Sequence, residues 1–204
     1  MRIGIDFDNT LVNYDLAFAL VGREEGLLPA DMVGDKVAVK AWLMSERPDG
    51  YLWEKLQGIV YGRRITNAEL YEGVGEFFGV CRRAEGVDVY IVSHKTLLAH
   101  HDDANLRDCA FQWMVRHGFF ESAGFGLRPE NVFFEDTRED KVRRVCALEC
   151  DVFIDDLPDV LLHPQMPVTC RKILFRGKSQ GAIELAASWN DIRHAIFGHC
   201  PLYS

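Results

Sequence analysis

Short apolar runs that close on an acid or a hydroxyl, separated by amphipathic stretches, constrain this chain more than any other feature. Arg2–Phe7 carries Asp6 and runs into Asp8, and Val87–Val92 is followed by Ser93. Val132–Glu135 ends in an acid, Val152–Asp155 continues into Asp156, and Lys172–Arg176 forms a fifth run. Near-continuous apolar runs of this length mark strands buried on both faces of a sheet. Between them, Leu106, Cys109, Ala110, Trp113 and Met114 repeat with the period of an amphipathic helix. Thr66-Asn67-Ala68-Glu69 has capping-box form ahead of Leu70, Val74, Phe77, Phe78 and Cys81, which predicts a helix starting near Thr66. Ser188-Trp189-Asn190-Asp191 predicts a last helix through Phe197. Strands alternating with helices predict an α/β fold, a parallel sheet with helices on both faces.

Residues 13–65 interrupt that alternation. They carry no strand signal and three helical patterns, Tyr14–Glu25, Val37–Met44 and Tyr51–Val60, broken by Arg47-Pro48-Asp49-Gly50. A usual βα loop has roughly 2–6 residues, so this stretch reads as a small helical insertion, 13–65, in a core formed by 1–12 and 66–204.

Charge and cysteine usage exclude several classes. The chain holds 23 Lys and Arg against 31 Asp and Glu, a net charge of −8, with no basic cluster. Nucleic acid and anionic membranes need their phosphates neutralised, so neither is an expected partner. Asp6 and Asp8 interrupt the apolar core that a signal peptide requires, and no run approaches the roughly 20 apolar residues of a membrane span. Cysteines 81, 109, 146, 150, 170 and 200 form no CxxC pair. Cys146 and Cys150 are spaced as neighbours on a helix, but reduced, buried thiols in a cytoplasmic protein are the expected reading.

The chemistry concentrates at the ends of the strands. If the first strand persists to Asp8, its alternation projects Asp6 and Asp8 to the same side. Two carboxylates that close call for a cation or a shared proton. Asp155-Asp156 closes another strand, and the carboxyl edge of an open α/β sheet is where ligands bind. Carboxylates converging there suit Mg²⁺, a hard cation that takes oxygen ligands. Asp156 also has the form of an N-cap for a helix at Leu157–Leu162. Ser93 and Lys141, the latter in the helix after Thr137, fall at the same edge by their order along the chain.

This set resembles the four motifs of the haloacid dehalogenase-like hydrolase superfamily. Asp6-Phe7-Asp8-Asn9-Thr10 matches the first motif, Ser93 the second, Lys141 the third and Asp155-Asp156 the fourth. The insertion resembles that superfamily's helical C1 cap, and Ser93-His94-Lys95 loosely resembles its 5′(3′)-deoxyribonucleotidase-like branch. The resemblance implies a Rossmann-like core and a phosphatase that works through an aspartyl-phosphate. It implies Asp6 as nucleophile and Asp8 as general acid and base. Mg²⁺ would be held by Asp6, the Asp8 backbone carbonyl and one or both of Asp155 and Asp156. Ser93 and Lys141 would bind the substrate phosphate, with Thr10 beside them orienting Asp8. Asn9 departs from the glycine common at its position. An acid at Asp8 disfavours a dehalogenase, which has no leaving oxygen to protonate, and leaves a phosphomutase or phosphotransferase open. A catalytically silent binding protein on the same fold would have lost one of these acids.

The implied substrate is a small phosphorylated metabolite, a sugar phosphate or nucleoside monophosphate. Tyr51, Trp42 and Trp53 are either readers of a base or sugar, or core. Arg63-Arg64 are either an anion reader or a solvated face. His94 either touches substrate or bonds locally. His100-His101-Asp102-Asp103 is expected to be a solvated loop capping the next helix. Gly177-Lys178-Ser179 ends like a phosphate-binding loop, but Lys172 stands where the upstream glycine is required.

Overall fold

The computed structural model describes residues 1–178, 181 and 183–198. Ser179 and Cys200, both singled out above, lie outside them. The chain folds as two compact units. The first comprises Met1–Leu11, Leu70–His94 and Gly118–Ser204, and the second Val12–Glu69 and Lys95–His117.

A six-stranded sheet organises the first unit. Its strands are β1 (Arg2–Ile5), β4 (Asp88–His94), β5 (Val132–Glu135), β6 (Val152–Asp155), β7 (Arg171–Phe175) and β8 (Glu184–Ala186), counting in chain order with β2 and β3 below. All pair in parallel, in the order β5-β4-β1-β6-β7-β8. This is the α/β, Rossmann-like architecture expected. Residues of β6 are buried throughout, which explains its unbroken apolar run. Helices α4 (Val74–Arg83), α6 (Arg138–Ala147), α7 (Pro158–Leu161) and α8 (Trp189–Phe197) flank the sheet. Val142 and Val145 of α6 and Val160 and Leu161 of α7 share one buried cluster with Val92, Phe153 and Leu174. An aromatic group gathers elsewhere, where Trp189 of α8 meets Phe77 of α4 at 5.0 Å and Phe175 of β7 at 5.9 Å.

Local signals succeed where nothing tertiary competes. Ser188 and Asp191 form the capping box of α8, and Thr137 caps α6 by accepting from the Asp140 N–H. The capping box read at Thr66 does not form. Ile65–Asn67 make one 3-10 turn, Ala68 is extended, and α4 begins eight residues later behind Gly73 at φ 89°. The Ala68 carbonyl, which a helix there would use, instead accepts from the Trp113 indole N–H at 3.1 Å. Strand β8 carries no apolar run because its three residues lie on the sheet edge, only one of them buried. Helix α6 stops at Ala147, so Cys150 is not its next turn and the helical cysteine pair does not exist. Burial pushes the thiols of Cys81 and Cys150 up to about 12 and that of Cys170 up to about 11, so these three are inert core residues.

The second unit is helical. It holds α1 (Ala17–Glu24), α2 (Lys36–Glu46), α3 (Tyr51–Tyr61) and α5 (Leu106–Arg116). The chain enters and leaves it on the paired two-residue strands β2 (Val12–Asn13) and β3 (Glu69–Leu70). Trp53 is buried and stacks on Phe18 at 5.1 Å, so it is core. Tyr51 is covered by the Arg47 guanidinium at 4.4 Å and by His101, and Trp42 is half-buried. Lys95 is buried, its ammonium 5.3 Å from the centre of the Tyr61 ring.

The unit exceeds the insertion expected at 13–65, because Lys95–His117 packs into it. Helix α3 presents Gly58 and Gly62 to that segment. A Cβ on Gly58 would lie 2.6 Å from the His100 carbonyl oxygen, and one on Gly62 would lie 2.7 Å from the Ala104 Cβ. That small-residue pair, four apart, was the available sequence signal. Arg63 adds charge pairing, donating to both oxygens of Glu25 and to Asp102 at 3.1 Å, and Arg64 pairs with Glu24. The paired arginines are thus tied to acids of their own unit. Asp102 also accepts from the Ala104 N–H, but the cap of α5 is Asn105, not the acidic pair. Gly58→Ala should therefore cost about 1–3 kcal/mol, the usual cost of overpacking, as measured by urea unfolding. A neutral result would show that Lys95–His117 is not held against α3.

Candidate active site

The site forms where β1, β4 and β6 end side by side. Strand β1 stops at Ile5, two residues short of the expected limit. The Asp6 N–H still donates to the Ile154 carbonyl at 2.9 Å. Beyond it the chain turns, with the Leu11 N–H bonded to Phe7 O and Asn9 at φ 58°. The strand alternation invoked for Asp8 therefore does not apply, and the half-buried Asp8 lies on this loop. Asn tolerates the left-handed region better than most residues with a side chain. That accounts for Asn9 where a glycine is common.

Three expected residues meet at the Asp6 carboxylate, which is buried. Its Oδ1 accepts from Ser93 Oγ at 3.0 Å and from Lys141 Nζ at 2.6 Å, and its Oδ2 accepts from Thr10 Oγ1 at 3.2 Å. Thr10 thus holds Asp6 rather than Asp8, because the turn at Asn9 folds its hydroxyl back over the strand end. Trp189 fastens the same loop, its indole N–H donating to Thr10 O at 3.0 Å. Nothing in the sequence marks that contact. Helix α6, anchored by its Thr137 cap, delivers Lys141.

Lys141 Nζ also lies 2.6 Å from Asp155 Oδ2, and both residues are buried. Burial alone would lower the ammonium, but Asp155 and Asp6 outweigh it and hold its pKa above the ordinary lysine range. Burial pushes the Asp155 carboxyl up to about 6, opposed by Lys141 and reinforced by the Asp6 charge. Asp155 Oδ1 accepts from the Leu157 N–H at 2.9 Å. Its Oδ2 faces the Lys141 ammonium and has no other donor among the described residues. Leu157 occupies the N-cap of α7 without a side-chain bond, so Asp156 does not cap that helix. One carboxylate oxygen from each of Asp6, Asp155 and Asp156 falls within 4.8 Å of the others. A buried, all-carboxylate set of oxygen ligands fits a hard divalent cation. The expected Asp8 ligand is its backbone carbonyl, and its side chain is not part of this group. His94 is exposed at the end of β4.

Solved structures share this architecture along nearly the whole chain. A hydrolase of the haloacid dehalogenase (HAD) family from Deinococcus radiodurans, solved with bound phosphate and sodium, superposes with a TM-score of 0.54 at 18% identity, over 96% of this chain and 94% of that one. A HAD-superfamily hydrolase of subfamily IA from Geobacter sulfurreducens gives 0.55 at 13% identity, over 96% and 94%. The chain has the HAD-hydrolase fold. A haloacid dehalogenase-like family hydrolase from Xanthomonas campestris gives 0.56 at 12% identity, again over 96% and 94%. No protein-family model matches the sequence, and no curated protein does either. At these identities the HAD likeness is one of fold. Among the described residues no helix is long and apolar enough to cross a membrane.

Proposed function

We propose that this protein is a Mg²⁺-dependent phosphomonoesterase of the HAD type, acting on small phosphorylated metabolites through an aspartyl-phosphate on Asp6. The observation that carries the reading is the Asp6 carboxylate, bracketed by Ser93 and Lys141 and grouped with Asp155 and Asp156. An Asp6 oxygen attacks phosphorus, the phosphorus–oxygen bond to the leaving group breaks, and Asp8 gives its proton to that oxygen. Asp8 then takes a proton from water, which displaces Asp6 and releases phosphate. Ser93 and Lys141, already aimed at one oxygen of Asp6, donate to the equatorial oxygens of the transferring group. Asp6, Asp155 and Asp156 would hold the cation, with the Asp8 carbonyl as a further ligand. Bound there, Mg²⁺ supplies the positive charge that offsets repulsion between the Asp6 carboxylate and a phosphate dianion. Every acid this scheme uses is present, which disfavours a silent binding protein.

The test is a screen of sugar phosphates and nucleoside monophosphates for released phosphate. Activity is expected with Mg²⁺ and should vanish in chelator. Ca²⁺ should inhibit, because its larger, looser coordination misplaces nucleophile and phosphate. No release from any compound by folded protein would overturn the reading, and an isomeric phosphoester would turn it toward a mutase. Because the Asp155 carboxyl is pushed up to about 6, a cation must displace its proton at lower pH. Mg²⁺ affinity should therefore rise with pH, on the order of tenfold per unit below that value and levelling off above it. Calorimetric titration at a series of pH values checks this. A flat affinity would remove Asp155 from the ligand set.

A further inference from the structure

The loop after β7 carries a strained, ordered arginine at the same sheet edge. Arg176 stands at φ 54° although it is not glycine. L residues avoid this region for steric reasons, and where tertiary contacts enforce it the site often handles a ligand. The Arg176 N–H donates to the Ala186 carbonyl at 2.8 Å. Its guanidinium lies over the Tyr71 ring, 5.2 Å from the centroid, and its Nη1 donates to the Tyr71 hydroxyl at 3.0 Å. Tyr71 is fixed in turn. Its N–H donates to Leu11 O at 3.0 Å, at the close of the Asp6 loop, and its ring meets Phe175 edge-on at 5.0 Å. Because Asp155 pairs with Leu174, Phe175 and Arg176 continue the edge just past the acid pair. Strand β7 is two places from β1, so the two strand ends lie about 10 Å apart.

We propose that Arg176 is a specificity residue for a second anionic group on the substrate, a carboxylate or a further phosphate. The inference rests on the phosphomonoesterase reading and narrows it to small phosphoesters with another anion a few bonds from the reacting phosphate. A planar guanidinium matches the paired oxygens of either anion. A chain of net charge −8 repels dianionic and trianionic substrates unless a local cation receives them. Arg176 is exposed, and its stacking on Tyr71 orders the guanidinium before a ligand arrives.

The experiment compares kcat/KM for propyl phosphate, for propanediol bisphosphate with a phosphate on each terminal carbon, and for the terminal phosphate ester of hydroxybutyrate. At least one of the two doubly anionic compounds should be preferred over propyl phosphate by about tenfold or more, the scale of one charge-assisted contact. Which of them is preferred identifies the anion. Arg176→Asn, which suits the left-handed backbone, should abolish that ratio, and Arg176→Lys should keep part of it. No preference in the native protein, or the same preference in Arg176→Asn, overturns the inference. Calorimetric binding of the three compounds to Asp6→Asn protein separates it from the hydrolase reading. A binding preference lost with Arg176→Asn, without phosphate release by native protein, sinks the hydrolase and keeps the anion site. Phosphate release without a preference does the reverse.

Discussion

Asp6→Asn should lower phosphate release by more than about 10³-fold, because it removes the attacking carboxylate and no phosphoenzyme can form. Asp8→Asn should cost on the order of 10²-fold or more, the usual weight of a general acid and base. The two losses differ in kind. With Asp8→Asn and a substrate whose leaving group needs little protonation, the first step survives better than the second, and aspartyl-phosphate accumulates on Asp6. Acid quench followed by mass spectrometry reads the difference. Label on Asp8 instead of Asp6 would reverse the assignment, and label on neither would favour direct attack by water.

Lys141→Met should destabilise the metal-free protein by about 3–5 kcal/mol, the usual cost of breaking a buried pair by removing one partner. The ammonium is the group 2.6 Å from both Asp6 Oδ1 and Asp155 Oδ2. Without it two buried carboxylates face each other, and the raised Asp155 carboxyl rises further. A group with a raised folded-state pKa contributes stability that is present below its unfolded pKa and lost as pH rises through the folded one. In metal-free native protein that window runs upward from the ordinary carboxyl range to about 6, and in Lys141→Met it should extend higher. The deficit should therefore shrink on acidification, and Mg²⁺ should restore part of it by binding only the folded form. Urea unfolding at several pH values, with and without Mg²⁺, measures all three effects. A loss below about 1 kcal/mol would mean that Lys141 does not bridge the two acids.

The residues of the candidate site were legible because each ends or follows an apolar strand or follows a helix cap. Asp6 directly follows β1, Asp155 ends β6, Ser93 is next to last in β4, and Lys141 follows a threonine cap. Local periodicity locates such positions, and parallel pairing brings strand ends to one edge. What each side chain does there depends on partners distant in sequence. Thr10 turns to Asp6 because Asn9 takes a left-handed backbone. Trp189 closes the same loop from the far end of the chain. Lys141 reaches both Asp6 and Asp155 from a helix more than a hundred residues after the first strand.

Sequence alone determined the strand–helix alternation and the acids at the ends of the strands, since period and capping are properties of neighbouring residues. Tertiary structure decided the rest. Ala68 spends its carbonyl on Trp113, which defeats the capping box at Thr66. Gly58 and Gly62 admit Lys95–His117 to the helical unit, which no count along the chain reveals. Arg176 acquires its tyrosine partner only when the end of β7 reaches Tyr71, far back in the chain. Each outcome turns on one atom meeting another far away in the chain, and local patterning carries no record of such meetings.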